Sequence, residues 1–216
     1  LHRRRHSFPT RRSSDLEGAG IQVVSANTDG IVSKIHNSKA QLFQDIIKYW
    51  EKVTDFETEE TDYLGLYSQD VNNYIAVKMD RKVKTKGCFS DPWTDPDLAI
   101  FRFHKKPDAQ ICGEAVCEFL THGTPIAETI RKCRDITRFV IVLNASDGAE
   151  KDGQYIGKVI RFYMSTKSPG PIRKTNGDKL SGSDGARPCL RFPQFFPDDI
   201  DYQVYEKIAE AMLYNC

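Results

Sequence analysis

Asp29 is the acid of this chain whose setting best suits chemistry. It lies in Asn27-Thr28-Asp29-Gly30, between the β-branched runs Ile21, Val23, Val24 and Ile31, Val32, Ile35, where Asp-Gly signals a tight hairpin turn. A carboxylate held at such a tip can ligate a catalytic metal ion. The same pair also serves as plain turn chemistry, because Asp and Gly both tolerate positive φ. A second pattern is Lys82, Lys84 and Lys86. Alternate strand residues share a face, so three ammonium groups there can meet phosphates or guard an edge strand against mispairing. The histidines His36, His104 and His122 have neither metal-ligand spacing nor a nucleophile beside them, and the six cysteines contain no C-x-x-C pair. Neither a zinc site nor a hydrolase triad is expected, and the thiols are read as reduced.

With 39% hydrophobic and 11% aromatic residues in 216, the chain can build a core. No apolar stretch approaches bilayer length and no secretory leader pattern opens the chain, so a cytoplasmic protein with no membrane partner is expected. Residues 1–16 are Arg- and Ser-rich without apolar period, and from Ser7 to Leu16 resemble a translated sequencing adapter. They are read as a non-native segment, with a basic nucleic-acid arm as the other reading. Without them the chain has 26 basic against 29 acidic residues, a balance of −3 instead of +1. Net charge then gives nucleic-acid binding no support, and any such case rests on local basic clusters.

Several elements must position these groups. After the hairpin, Asn37 or Ser38 can cap a helix carrying Phe43, Ile46, Ile47, Trp50 and Val53 at three- and four-residue spacing. Three strand-like runs follow, 63–67, 72–78 and 82–87, joined by short turns. Hairpin, helix and meander predict an α+β unit, an antiparallel sheet covered on one face by a helix. The stretch 88–106, with Asp91-Pro92 and Asp95-Pro96, is the expected boundary. Beyond it, Pro107 can start a helix that Gly123 ends, and Thr124-Pro125 can start another. Residues 139–143 read as a strand or a helix tail, and Asp147-Gly148 with Asp152-Gly153 mark a loop. Ile156, Val159, Ile160, Tyr163 and Met164 follow a helical period. Residues 172–180 read as an exposed ribbon turning at Asn176-Gly177, and a last helix buries Tyr205, Ile208, Ala209, Met212 and Leu213. The second part is thus mainly helical with a β-hairpin.

The order of these features resembles the C-terminal half of the palm of family B DNA polymerases, most closely those of tailed bacteriophages, continuing through a thumb. The resemblance covers residues 17–216, with 17–90 as palm and 91–216 as thumb. Asn27-Thr28-Asp29-Gly30 resembles the family's Asp-Thr-Asp-Ser hairpin, and Asn73-Tyr74 with Lys84 and Lys86 resembles its Lys-x-Tyr region near the primer end. By that resemblance Asp29 is the catalytic acid and magnesium ligand, Asn27, Thr28 and Gly30 form the turn, and Asn73, Tyr74, Lys84 and Lys86 contact primer–template DNA. Asn27 stands where the family has a less directly involved Asp, and Gly30 where it has Ser.

Two-metal nucleotidyl transfer needs at least two carboxylates to hold both ions while the primer 3′-hydroxyl attacks the dNTP. The family's other aspartate lies in an Asp-x-x-Ser-Leu-Tyr-Pro strand, a pattern that does not occur here. The resemblance therefore implies a two-Mg2+ enzyme represented in part, with one carboxylate ligand present and with exonuclease, fingers and the rest of the palm upstream. Such a part is inactive alone, and its place is the cytoplasm, the host's if viral. The basic residues Arg131, Lys132, Arg134 and Arg138 are further candidates for tracking duplex phosphates. Two other readings stay open: a non-catalytic nucleic-acid-binding replication accessory module, and a metal-dependent nuclease, which needs more acids converging on Asp29.

Overall fold

A computed structural model describes residues 8–26, 30–90 and 108–216. The chain divides into two compact units, residues 1–62 and 63–216.

The first unit opens with helix α1 (Phe8–Gly18), which begins inside the adapter-like segment and whose Leu16 is buried. Gly20, at φ +69, ends the turn after it. The Lys39 ammonium donates to the carbonyls of Ala19 (3.1 Å) and Gly20 (2.7 Å), satisfying acceptors where the helix stops. Strands β1 (Gln22–Ala26) and β2 (Ile31–Lys34) pair antiparallel from Gln22↔Lys34 to Ala26↔Ile31, with a bulge between Val23 and Ser25. A 3₁₀ turn at Asn37–Lys39 leads into α2 (Ala40–Thr54). The His36 ring caps this 3₁₀ turn, accepting from the Ser38 N–H at 3.3 Å, and α2 itself, with Lys39 as its N-cap residue, lacks the side-chain cap expected from Asn37 or Ser38. Asp55 ends α2 in the left-handed region. Along α2, Trp50 is buried and stacks on Phe56 with centroids 6.4 Å apart, whereas Val53, expected on the same buried face, is 59% exposed.

The second unit begins with a meander of β3 (Tyr63–Asp70), β4 (Asn73–Lys78) and β5 (Val83–Lys86), in spatial order β3-β4-β5. Helices α3 (Gln110–His122), α4 (Ile126–Lys132) and α5 (Tyr202–Tyr214) pack on one another, so the expected pair is a trio. Gly123, at φ +73, closes α3 as its sequence position foretold. Pro107, the expected helix start, lies outside the described residues.

The largest difference from expectation is over 154–164. Instead of a helix, Gln154–Met164 is strand β7, paired antiparallel with β6 (Ile141–Lys151). Ile156, Ile160 and Met164 lie four apart, a spacing that repeats on one face of a helix and of a strand alike. Phe162, fully buried between Ile160 and Met164, completes the period-2 face. The two Asp-Gly pairs differ in role. Asp152 (φ 53) and Gly153 (φ 78) form the two-residue turn between Lys151 and Gln154, whereas Asp147-Gly148 is an irregularity inside β6. Short strands β8 (Arg173–Lys174) and β9 (Ala186–Pro188) complete a sheet of order β8-β6-β7-β9. The expected ribbon over 172–180 is a short hairpin, with the bridge Arg173↔Lys179 flanked by bonds from the Lys174 N–H to the Asp178 carbonyl and from the Leu180 N–H to the Ile172 carbonyl, but Ile172 and Leu180 are buried rather than exposed.

The architecture is α+β with antiparallel sheets, as expected, and the hairpin and the meander each form their own sheet. The core of the second unit joins Ile111, Ala115, Ile130, Phe139, Ile160 and Tyr205. At its centre the Tyr205 hydroxyl donates to the Phe139 carbonyl and accepts from the Met164 N–H, both at 2.8 Å, tying α5 to β7. Burial drives the pKa of that phenol upward.

Candidate nucleic-acid interface

Asn27, Thr28 and Asp29 lie outside the described residues. The described strand ends Ala26 and Ile31 pair directly, and Gly30 adjoins β2. Ser33, on β2, has a hydroxyl buried without a partner. It lines a cleft with Leu16, Ile31, Phe43 and Ile47, and Glu59, Glu60 and Asp62 line it too. Among the described residues no group of three or more His, Cys, Asp or Glu side chains could hold a metal ion. The one carboxylate expected to ligate magnesium falls outside them.

The meander carries the other predicted residues, and strand register sorts them. Tyr74 is opposite Lys86 and Ala76 is opposite Lys84, so Tyr74, Lys84 and Lys86 project on one face of the sheet. Ile75, Val77 and Val83 take the other face; Ile75 and Val77 are buried in the core and Val83 packs against it. The two lysines are exposed and Tyr74 is half-buried between strands β3 and β5. Neither Lys84 nor Lys86 makes an ion pair among the described residues. Lys82 differs, since it pairs with Asp80 at 3.0 Å in the β4–β5 turn. This face presents an aromatic ring beside two exposed ammonium groups, which is chemistry suited to a phosphate-bearing strand.

Asn73 belongs to a different structure. Its Nδ2 donates to Asp70 Oδ2 at 2.7 Å, and its Oδ1 accepts from the Cys88 N–H at 3.0 Å. The other Asp70 oxygen accepts from the N–H groups of Asn72 (2.7 Å) and Asn73 (3.0 Å). The Asn73 side chain, with the two backbone donors, holds the Asp70 carboxyl below its ordinary pKa. The result is a clasp joining the β3–β4 turn to the chain leaving β5. Gly87 permits it: its φ is +69, and a Cβ there would fall 2.1 Å from Asn73 Oδ1 and 2.3 Å from the Asn72 carbonyl. Sequence reading placed Asn73 with the lysines and missed Asp70 and Gly87 as its partners. The Asp70-Val-Asn-Asn73 spacing is an Asx-turn signal that could have found the first of them.

The basic cluster expected after α3 is largely occupied. Arg131 pairs with Glu206 at 2.7 Å and lies over the Tyr202 ring, and Lys132 pairs with Glu128 at 2.5 Å. Arg134 lies over Phe196, and Arg138 is paired with Glu114. The three arginines fasten α4 and its flanks to neighbouring segments, while the Lys132 pair lies within α4.

No protein-family model and no curated protein matches the chain. Among solved structures it is similar to the family B DNA polymerase of the hyperthermophilic archaeon Pyrobaculum calidifontis, with a TM-score of 0.48 and 13% identity. The match covers 95% of this chain and 28% of that one. No helix among the described residues is long and apolar enough to cross a membrane.

Proposed function

We propose that this chain is a palm-and-thumb portion of a DNA-directed DNA polymerase of the bacteriophage family B type, with residues 17–90 in the palm and 91–216 in the thumb. In this reading Asp29 supplies one of the carboxylates that hold two Mg2+ ions during nucleotidyl transfer from a dNTP to a primer 3′-hydroxyl. The Tyr74, Lys84 and Lys86 face contacts the primer–template backbone, and Asn73 acts indirectly by holding the turn beside that face. The observation that carries the reading is the antiparallel pairing that ends at Ala26↔Ile31, because it frames Asn27-Thr28-Asp29-Gly30 as a strand-to-strand connection. The paired register that gathers the aromatic and two lysines adds to it.

The test is primer extension by an enzyme that joins this chain to upstream palm, fingers and exonuclease portions. Asp29→Asn is expected to lower extension at least about 100-fold, the scale of losing a group that orients a metal. Near-normal extension overturns the assignment.

A further inference from the structure

Six free thiols lie in the chain, and two of them are joined through a short relay of hydrogen bonds in the second unit. Cys88 is exposed and follows β5, where its N–H is already part of the clasp. Cys216 lies two residues beyond the end of α5. A single side-chain amide connects them: Cys88 Sγ donates to Gln69 Oε1 at 3.6 Å, and Gln69 Nε2 donates to the Met212 carbonyl at 3.1 Å. Cys216 Sγ donates to that same carbonyl at 3.3 Å. The other cysteines are set differently. Cys112 and Cys189 are buried, and Cys117 and Cys133 are half-buried on or beside α3 and α4. Burial raises both the Cys88 and Cys216 pKa values, and the Cys88 thiol is raised further by the nearness of Cys216 and of Asp70.

We propose that Cys88 and Cys216 form a reversible disulfide that tethers the C-terminal helix to the clasp at the end of the basic strand. A glutathione disulfide is a sufficient oxidant. Deprotonated Cys88 attacks one of its sulfurs, forming a mixed disulfide and releasing one glutathione thiolate. The Cys216 thiolate then attacks Cys88 Sγ and expels the second glutathione. The protein loses two electrons and two protons, and the glutathione disulfide gains the electrons as two thiols. Closure requires the two Cα atoms to come within about 7 Å, an approach that side-chain rotation and fraying of the last turn of α5 must supply. The closed loop contains all three packed helices and the four-stranded sheet, so the bond restricts the unfolded chain strongly. This holds whatever the polymerase reading yields.

The test is incubation of the full chain with glutathione disulfide at about pH 8.5, where more of each thiol is ionised, followed by mass spectrometry of a non-reduced digest. A Cys88–Cys216 linked peptide in the monomer, removed by dithiothreitol, is expected. The apparent melting temperature should rise by about 5 °C or more on oxidation. Cys88→Ser and Cys216→Ser should each abolish the linked peptide and the rise while melting as the wild type does when reduced. Glutathione adducts that persist on Cys88 beside a free Cys216, or linkage only between molecules, overturn the proposal. The wild-type digest decides this even if a serine variant folds poorly.

Discussion

The two compact units bury apolar residues very unequally. In the first, the buried hydrophobic side chains among the described residues are Leu16, Ile21 and Trp50, while Tyr49 and Val53 on α2 are 68% and 59% exposed. In the second, one continuous core runs from β4 through α3 and the β6–β7 pair to α5. Both units have amphipathic helices. An apolar stripe becomes a core only where another layer meets it, and the second unit stacks three helices and a four-stranded sheet. The first has a two-stranded hairpin and two helices, which is close to the lower limit for independent stability. The proposed metal ligand therefore belongs to the thinner unit and the proposed DNA-contacting lysines to the well-packed one.

The contrast is most exposed to test at Phe139. Its ring is fully buried, edge-on to Tyr205 at 5.1 Å and to Phe196 at 5.6 Å. Phe139→Ala should cost about 3–5 kcal/mol in chemical denaturation and speed hydrogen exchange along β7. Trp50→Ala, in the other unit, should leave β7 exchange unchanged. Equal effects of the two substitutions on β7 would break the comparison.

A smaller effect is expected at Asp199, which is 1% exposed. It accepts from the Tyr163 hydroxyl at 3.1 Å, from the Ser165 hydroxyl and from Arg187 at 2.6 Å. Burial alone raises its pKa, but the hydrogen bonds from Ser165, Arg187 and Tyr163 outweigh burial and hold it below the ordinary value. The folded state thus favours the ionised form. Its contribution is present above the ordinary carboxylate pKa of about 3.9 and is lost as pH falls through the lower folded value. Asp199→Asn should cost about 2 kcal/mol near pH 7 and flatten the acid limb of the stability–pH curve. An unchanged acid limb would show that the cluster does not couple to pH.

The smallest change in stability is expected at Lys84 and Lys86, whose side chains lie on the sheet face away from the core. Lys84→Glu with Lys86→Glu should shift stability by no more than about 0.5 kcal/mol. The same pair should weaken primer–template binding by this chain in fluorescence anisotropy and reduce the salt slope by about one for each phosphate that is no longer neutralised. Binding that is unaffected would detach the basic face from DNA.

Much of the local structure was legible without coordinates. β-Branched runs flanking Asp-Gly marked the hairpin and strand-like runs with short turns the meander, Gly123 and Pro125 punctuated two helices, and the 205–213 pattern identified the last one. Each signal is local, set by the spacing of a few residues and by the backbone freedom of Gly or Pro. Where two periods coincide, as at Ile156, Ile160 and Met164, spacing alone could not choose between strand and helix, and pairing with β6 decided it. Exposure of Val53 against burial of Trp50 was likewise beyond sequence, because it depends on which stripe residues meet another layer.

For the candidate interface, the sequence by itself determined the residue types: an acid in an Asp-Gly pair between β-branched runs, an aromatic in a strand, lysines at alternating positions. Tertiary structure alone decided their company. Register placed Tyr74 across from Lys86, the Asp70 clasp withdrew Asn73 from the basic face, and Glu206 and Glu114 occupied the charges of Arg131 and Arg138, whereas the Glu128–Lys132 pair is a local i,i+4 spacing. Composition fixes which charges exist. Whether one remains available for a ligand depends on partners brought from up to 75 positions away, as Glu206 is to Arg131, and only the folded chain supplies them.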